Sequence, residues 1–272
     1  MNNSSRFSVQ PKTNAELRTL VKTEIQQHGD QCDLNHINVS LITDFSDLFE
    51  DLTYNGDISK WNQCDLNHID VSLVTDFSCL FFNSEFNGDI SRWNVSNAKS
   101  MACTFQSSSF NGDISKWNVS DLENMSSMFA FSLFKGDISE WDVSSVTKTD
   151  HMFQGSQFND DISNWNTSNV ENISFMFSDS KFNGDISSWD VSSVTYMIAM
   201  FSFSKFNGDV SNWDRSSMTD DQDIFLNSKI AKKLGTNNPS FDHVKSYFSA
   251  LRLNLDLKSA PLGHSNQSKT RL

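Results

Sequence analysis

The chain has 272 residues, with 21 Lys and Arg against 34 Asp and Glu, and a formal net charge of −13. So acidic a chain lacks the positive surface that sequence-independent binding to DNA, RNA or anionic lipid requires, and no nucleic-acid partner is expected. Its 23 Phe and 7 Trp are too many for a disordered chain, and its 10 Gly and 3 Pro too few for a collagen-like or linker protein.

The N-terminal stretch contains no apolar segment long enough for a secretory leader, and no run approaches the ~20 apolar residues of a membrane-spanning helix. The expectation is no membrane insertion, with a cytoplasmic location or export by a non-classical route. Residues 13–27 place Leu17, Leu20, Val21 and Ile25 on one helical face. Thr13 or Asn14 is available as its cap. This predicts a helical cap within 1–30.

From residue 31 to 226 the chain is repetitive. The tryptophans are Trp61, Trp93, Trp117, Trp141, Trp165, Trp189 and Trp213; the first gap is 32 residues and the other five are 24. A fixed period of this size marks a repeat architecture. The unit reads F-N-G-D-I-S-x-W-[ND]-V-S-x-V-x-x-M-x-x-M-F-x-x-S-x, and the Phe of FNGDIS is position 1 below. Two 32-residue-type units come first, since QCDLNHINVSLITDFSDLF at 31–49 recurs as QCDLNHIDVSLVTDFSCLF at 63–81.

The apolar positions are 1, 5, 8, 10, 13, 16, 19 and 20. They mix I-x-x-W-x-V, read as a short strand, with M-x-x-M-F, read as a tight turn. Single units of this kind cannot bury their apolar face alone, whereas stacked ones share a core. The fold class expected is therefore a repeat solenoid with short parallel β-strands, neighbours ~4.8 Å apart. Ser ladders at positions 6 and 23 and the Asp ladder at position 4 are read as partners for backbone groups at the corners. The glycine of Asn-Gly-Asp is read as supplying a positive φ.

After Trp213 the repeat decays. A short helix ending at Gly235 and a second one starting near Pro239, with Phe241, Val244, Tyr247, Phe248 and Leu251 on one face, predict a C-terminal helical cap over 227–257. The tail 258–272 has little to bury and is expected to be disordered.

FNGDISKWNVS at 110–120, followed by the V-x-x-M-x-x-MF pattern, resembles a bacterial surface-protein repeat of about 24–26 residues, a group similar to the BspA-like leucine-rich repeats. The resemblance implies a leucine-rich-repeat-like right-handed coil, its L-x-x-L-x-L frame mapped onto Ile114, Trp117 and Val119. It also implies surface display and protein contacts, and it brings no catalytic residues with it.

Four candidate sites follow. Cys32 and His36, and Cys64 and His68, are two i, i+4 pairs one unit apart, and stacking them would assemble a Cys2His2 zinc set. Duplication of the segment explains the same coincidence. Cys79 and Cys103 share position 18 and are read as free thiols within disulfide reach. The Trp ladder faces inward as core or outward as platforms for sugar rings, with inward expected from the leucine-rich frame. Beside it, position 7 runs Lys60, Arg92, Lys116, Glu140, Asn164, and position 9 runs Asn62, Asn94, Asn118, Asp142. This row turns from basic to acidic along the axis, as a partner-reading surface would.

The six histidines are scattered, with no phosphate loop or metalloprotease motif. The expected function is non-catalytic protein binding through the strand-side ladder face, without a cofactor. The alternatives are an exported adhesin for carbohydrate or a host surface, and a metal-stabilised repeat module.

Overall fold

The structure is a computed structural model that describes residues 9–28, 34, 36–50 and 70–259. Three helices are present among the described residues: α1 (Asn14–His28), α2 (Lys229–Lys233) and α3 (Phe241–Ser259). Between α1 and α2 the described chain is built from turns. Its only bridges outside helices are isolated single-residue ones. One runs Val9↔Ile37, and the others run Asp44↔Asp76↔Ser100↔Asn124↔Lys148↔Asn172↔Tyr196↔Asp220, all parallel. The expected solenoid of short parallel β-strands is thus not formed, and no sheet is present among the described residues.

The reason lies in the backbone. In the segment expected to be the strand, the N–H of Trp117 turns back onto the carbonyl of Ile114, and that of Leu122 onto Val119. The segment is two consecutive tight turns, and the leucine-rich frame has no extended counterpart. Asp113 and Asn118 enforce those turns by accepting from the N–H groups of Ser115 and Ser120.

Units join instead through the V-x-x-M-x-x-MF half, positions 14–24. There every second N–H donates to the next unit: Met101 to Asn124, Cys103 to Ser126, Phe105 to Met128 and Ser107 to Ala130, all at 2.8–2.9 Å. The intervening N–H groups close tight turns, Thr104 onto Met101, Gln106 onto Cys103 and Ser108 onto Phe105. This zigzag requires left-handed backbone at two positions per unit. Position 18 (Cys79, Cys103, Ser127, His151, Phe175, Ala199, Asp223) and position 22 (Asn83, Ser107, Phe131, Gly155, Asp179, Phe203, Asn227) have φ between 51° and 63°. A strand cannot contain such residues, which accounts for a ladder of bonds without a sheet. The same pattern spans the 32-residue interval, with Phe45, Asp47 and Phe49 donating to Asp76, Ser78 and Leu80.

On the other half, positions 1–13, the links between units use side chains. The indole N–H groups of Trp117, Trp141, Trp165, Trp189 and Trp213 donate to the carbonyls of Ile90, Ile114, Ile138, Ile162 and Ile186 in the preceding unit, at 3.0–3.2 Å. The position-2 asparagines accept from the next unit's backbone, as Asn87 does from Asn111 and Asn111 from Lys135 at 2.7 Å. Position 12 reaches back to a carbonyl, as Asn97 does to Ser72 and Ser145 to Ser120.

Between the halves lies one continuous core. Phe105, Phe129, Phe153, Phe177 and Phe201 stack along the axis, neighbouring centroids 5.6–6.0 Å apart. Each also stacks on the position-1 ring five residues later, at 4.0–4.3 Å. The position-23 serines close this corner: Ser132, Ser180 and Ser204 donate to the carbonyls of Phe129, Phe177 and Phe201 and accept from the position-1 N–H.

Among the described residues the Asn-Gly-Asp glycines do not have positive φ, whereas Gly155 and Gly235 do. In most units the position-1 ring lies close over position 3, although Asp160 carries a side chain there in the unit of Phe158. A Cβ at Gly112 would sit 2.9 Å from the Phe110 ring, and one at Gly136 2.8 Å from Phe134.

The end helices are tied to acidic residues of the outermost described units. Arg18 of α1 bridges Asp47 and Glu50, while Leu17, Val21 and Ile25 enter the core. Ser228, the next member of the position-23 ladder, caps α2 by accepting from Ala231. Arg215 stacks 3.9 Å over Phe241 at the start of α3, and Arg252 binds Asp209 and Ser211.

Candidate interaction faces

The buried tryptophans answer the question of the Trp ladder. Trp93, Trp117, Trp141, Trp165, Trp189 and Trp213 are 4–6% exposed. They are core, and no outward row of indole platforms exists among them.

Arg92, Lys116, Glu140 and Asn164 stand exposed beside the buried indoles, in file along the stack, as do Asn94, Asn118 and Asp142. Lys60 and Asn62 lie outside the described residues. Position 9 has a structural duty. Asn94, Asn118, Asp142, Asn166, Asp190 and Asp214 each accept the N–H two residues on, at 2.9–3.2 Å. Position 4 does the same for position 6, from Asp89 to Asp209. These bonds stabilise the ionised form. The side-chain and backbone groups of Ser144 and Ser192 hold the carboxyls of Asp142 and Asp190 below the usual aspartate range. The backbone and side chain of Ser115 and Ser187 do so for Asp113 and Asp185. Position 7 carries no such repeated bond, so its identity is free to change from unit to unit.

Of the Cys/His set, only His36 is described; its Nε2 lies 3.4 Å from Glu24 of α1. Cys32, Cys64 and His68 lie outside the described residues. Among the described residues no group of three or more His, Cys, Asp or Glu is arranged to hold a metal ion.

Cys79 and Cys103 are free thiols, both half-buried. Burial pushes the Cys79 thiol up to about 12, with Cys103 beside it adding to the effect. Burial raises Cys103 as well. Both are therefore protonated and poor nucleophiles at neutral pH. Two of the described histidines are engaged locally: His28 with Glu24, and His151 with Gln154 and the face of Phe175 at 4.7 Å.

The turn ladder presents a second face, one that no sequence motif marks. Rows 17, 18, 21 and 22 from Ser78 to Phe203 contain only two acidic residues, Asp150 and Asp179, and no Lys or Arg. Phe131 and Phe203 stand out from it, 51% and 56% exposed. The available signal was position 22 itself, where Asn, Ser, Gly, Asp and Asn accompany the two phenylalanines. That list marks a left-handed backbone site.

Stacked units with side chains fixed at each corner define a repeat protein. A family model described as "Mycoplasma protein of unknown function, DUF285" matches residues 22–130, 63–157 and 130–238, and the chain belongs to that family. No curated protein and no solved structure matches it. No helix among the described residues is long and apolar enough to cross a membrane.

Proposed function

We infer that the protein is a non-catalytic scaffold that binds another protein through the Trp-side row centred on position 7. The observation behind this reading is the file of exposed Arg92, Lys116, Glu140 and Asn164, held at regular intervals by buried tryptophans. Along it the charge changes sign while the flanking positions repeat. A rigid row of this kind reads a partner of opposite charge order, acidic opposite Arg92 and Lys116 and basic opposite Glu140. Display at a cell surface is part of this proposal and is compatible with the family. With its described indoles buried, the Trp side offers no row of aromatic platforms for sugar rings among the described residues, which favours a protein partner over a carbohydrate.

The test is capture from the source cell with the purified chain and with the variant Arg92→Glu, Lys116→Glu, Glu140→Lys. The three side chains are exposed, so the fold is expected to survive. A protein retained by the native chain, lost by the variant and released by moderate salt is the expected result. Identical capture by both forms means that this row is not the binding site.

A further inference from the structure

The turn-ladder face contains a local conflict. At position 22 the backbone is left-handed in every described unit, and most units place there residues that accept this conformation: Asn83, Ser107, Gly155, Asp179 and Asn227. Phe131 and Phe203 occupy the same site with φ of 56° and 59°. A bulky side chain there is strained, and an aromatic ring left half in water gains little from the stack. Leu133 beside Phe131 is 55% exposed. Phe175, at the left-handed position 18 with φ of 58°, lies between them with one face against His151. Strain and exposure combined at the same residues point to an occupant.

We propose that this face binds a second copy of the chain, through a two-fold contact centred between Gly155 and Asp179. Two arguments select a second copy. The chain carries a net charge of −13, so most approaches between copies are repulsive. Between Ser78 and Phe203 this face has only Asp150 and Asp179 as acidic residues in rows 17, 18, 21 and 22, with Asp47, Glu50 and Asp223 in the flanking units, so a contact centred there meets little of that repulsion.

The second argument is register. A two-fold axis lying across the ladder reverses the order of units and keeps each row opposite itself. Phe131 then meets Phe203 of the other copy, and His151 meets its Phe175. Asp179 faces the second copy's Gly155, and Asp150 faces its Ser174. No like charges are opposed, and both strained phenylalanines are covered. Gly155 suits the centre of such a contact, because the Phe131 ring already occupies the space its side chain would fill, 2.4 Å from a Cβ built there.

Sedimentation equilibrium of the full chain, from micromolar to several hundred micromolar, tests the proposal. A monomer–dimer equilibrium is expected. Phe131→Asn and Phe203→Asn install the residue that other units already carry, so at dilutions where the chain is monomeric the thermal midpoint should not fall. Each single variant is expected to weaken the dimer at least tenfold, and the double variant to remain monomeric. A wild-type chain that is monomeric throughout overturns the proposal. So does a dimer that survives in the double variant, or one that only one of the single variants weakens. The charge-reversed residues of the protein-binding reading lie on the Trp side, so the two ideas fail separately.

Discussion

The two halves of each unit hold the stack together by different means. On the turn ladder the backbone bonds to itself, and the side chains need only tolerate the left-handed positions and fill the core. On the Trp side the links between units are made by side chains: indoles, asparagine amides, short polar groups at position 12, and in single units Thr167 and Ser188. This difference explains the texture of the repeat. FNGDISxWNVS is nearly invariant from unit to unit because its Asn, Asp and Trp each have a bond to make and its Phe, Ile and Val fill the core. The rows at positions 17, 18, 21 and 22 wander through Cys, Ser, His, Phe, Ala and Gln because the backbone there has already satisfied its donors and acceptors. It also shows which variation carries functional information. Position 7 varies within the fixed half, and Phe131 and Phe203 break the rule of the tolerant half.

The sharpest way to break the comparison is to delete an indole. Trp141 is buried, donates to Ile114 at 3.1 Å and packs against Phe129. Trp141→Ala is expected to destabilise the chain by about 3–5 kcal/mol through the cavity it leaves. Trp141→Phe keeps much of the packing and loses the bond between units, for about 1 kcal/mol. Denaturant titration of the three forms measures both. If Trp141→Phe matches the wild type, the indole bonds do not hold the Trp side together.

A matched pair tests the two halves against each other. Asn111→Ala removes the acceptor of the Lys135 N–H and is expected to cost roughly 0.5–1.5 kcal/mol. Ser107→Asn, on the turn ladder at φ 56°, is expected to stabilise by a few tenths of a kcal/mol up to about 1 kcal/mol, because Asn tolerates the left-handed region better. Opposite signs in thermal melts support the division. A loss at Ser107 shows that the turn ladder also depends on its side chains.

Much of this organisation was legible in the sequence, because tryptophan spacing is a long-range signal. Units 24 residues apart stack in register, and the apolar positions read from the pattern form the core, from Phe110 and Ile114 through Met125, Met128 and Phe129. The hydroxyl ladder at position 23 bonds the backbone as its placement implied. The strand was not legible correctly. I-x-x-W-x-V has strand-like apolar spacing, but Asp113 and Asn118 fold it into turns by hydrogen bonds that a count of apolar positions ignores. The glycine of Asn-Gly-Asp suggests a positive φ, but at Gly112, Gly184 and Gly208 what it supplies is space beneath a phenylalanine ring. The site was less legible than the fold. The zinc-like set falls largely on residues outside those described, and the strained phenylalanines become visible only once the left-handed ladder is known.

The smallest expected effect concerns acid. Asp142 and Asp190 hold the turn at position 9 in units where Asn94, Asn118 and Asn166 do the same with an uncharged amide. Their carboxyls are shifted below the ordinary aspartate range by the bonds from Ser144 and Ser192. A carboxyl lowered on folding adds stability that is complete above its unfolded pKa and is lost as pH falls through the folded one. Asp142→Asn and Asp190→Asn keep the turn, because the amide oxygen accepts the same N–H, and remove the proton dependence. Above about pH 5 the double variant should melt close to the wild type, and in acid it should lose stability less steeply. Thermal melts across that range read the difference directly. Parallel acid curves for the two proteins would mean that the position-9 carboxylates contribute nothing beyond what asparagine already supplies. The Trp side would then be held by geometry common to both residues, with charge at that row left free for the partner.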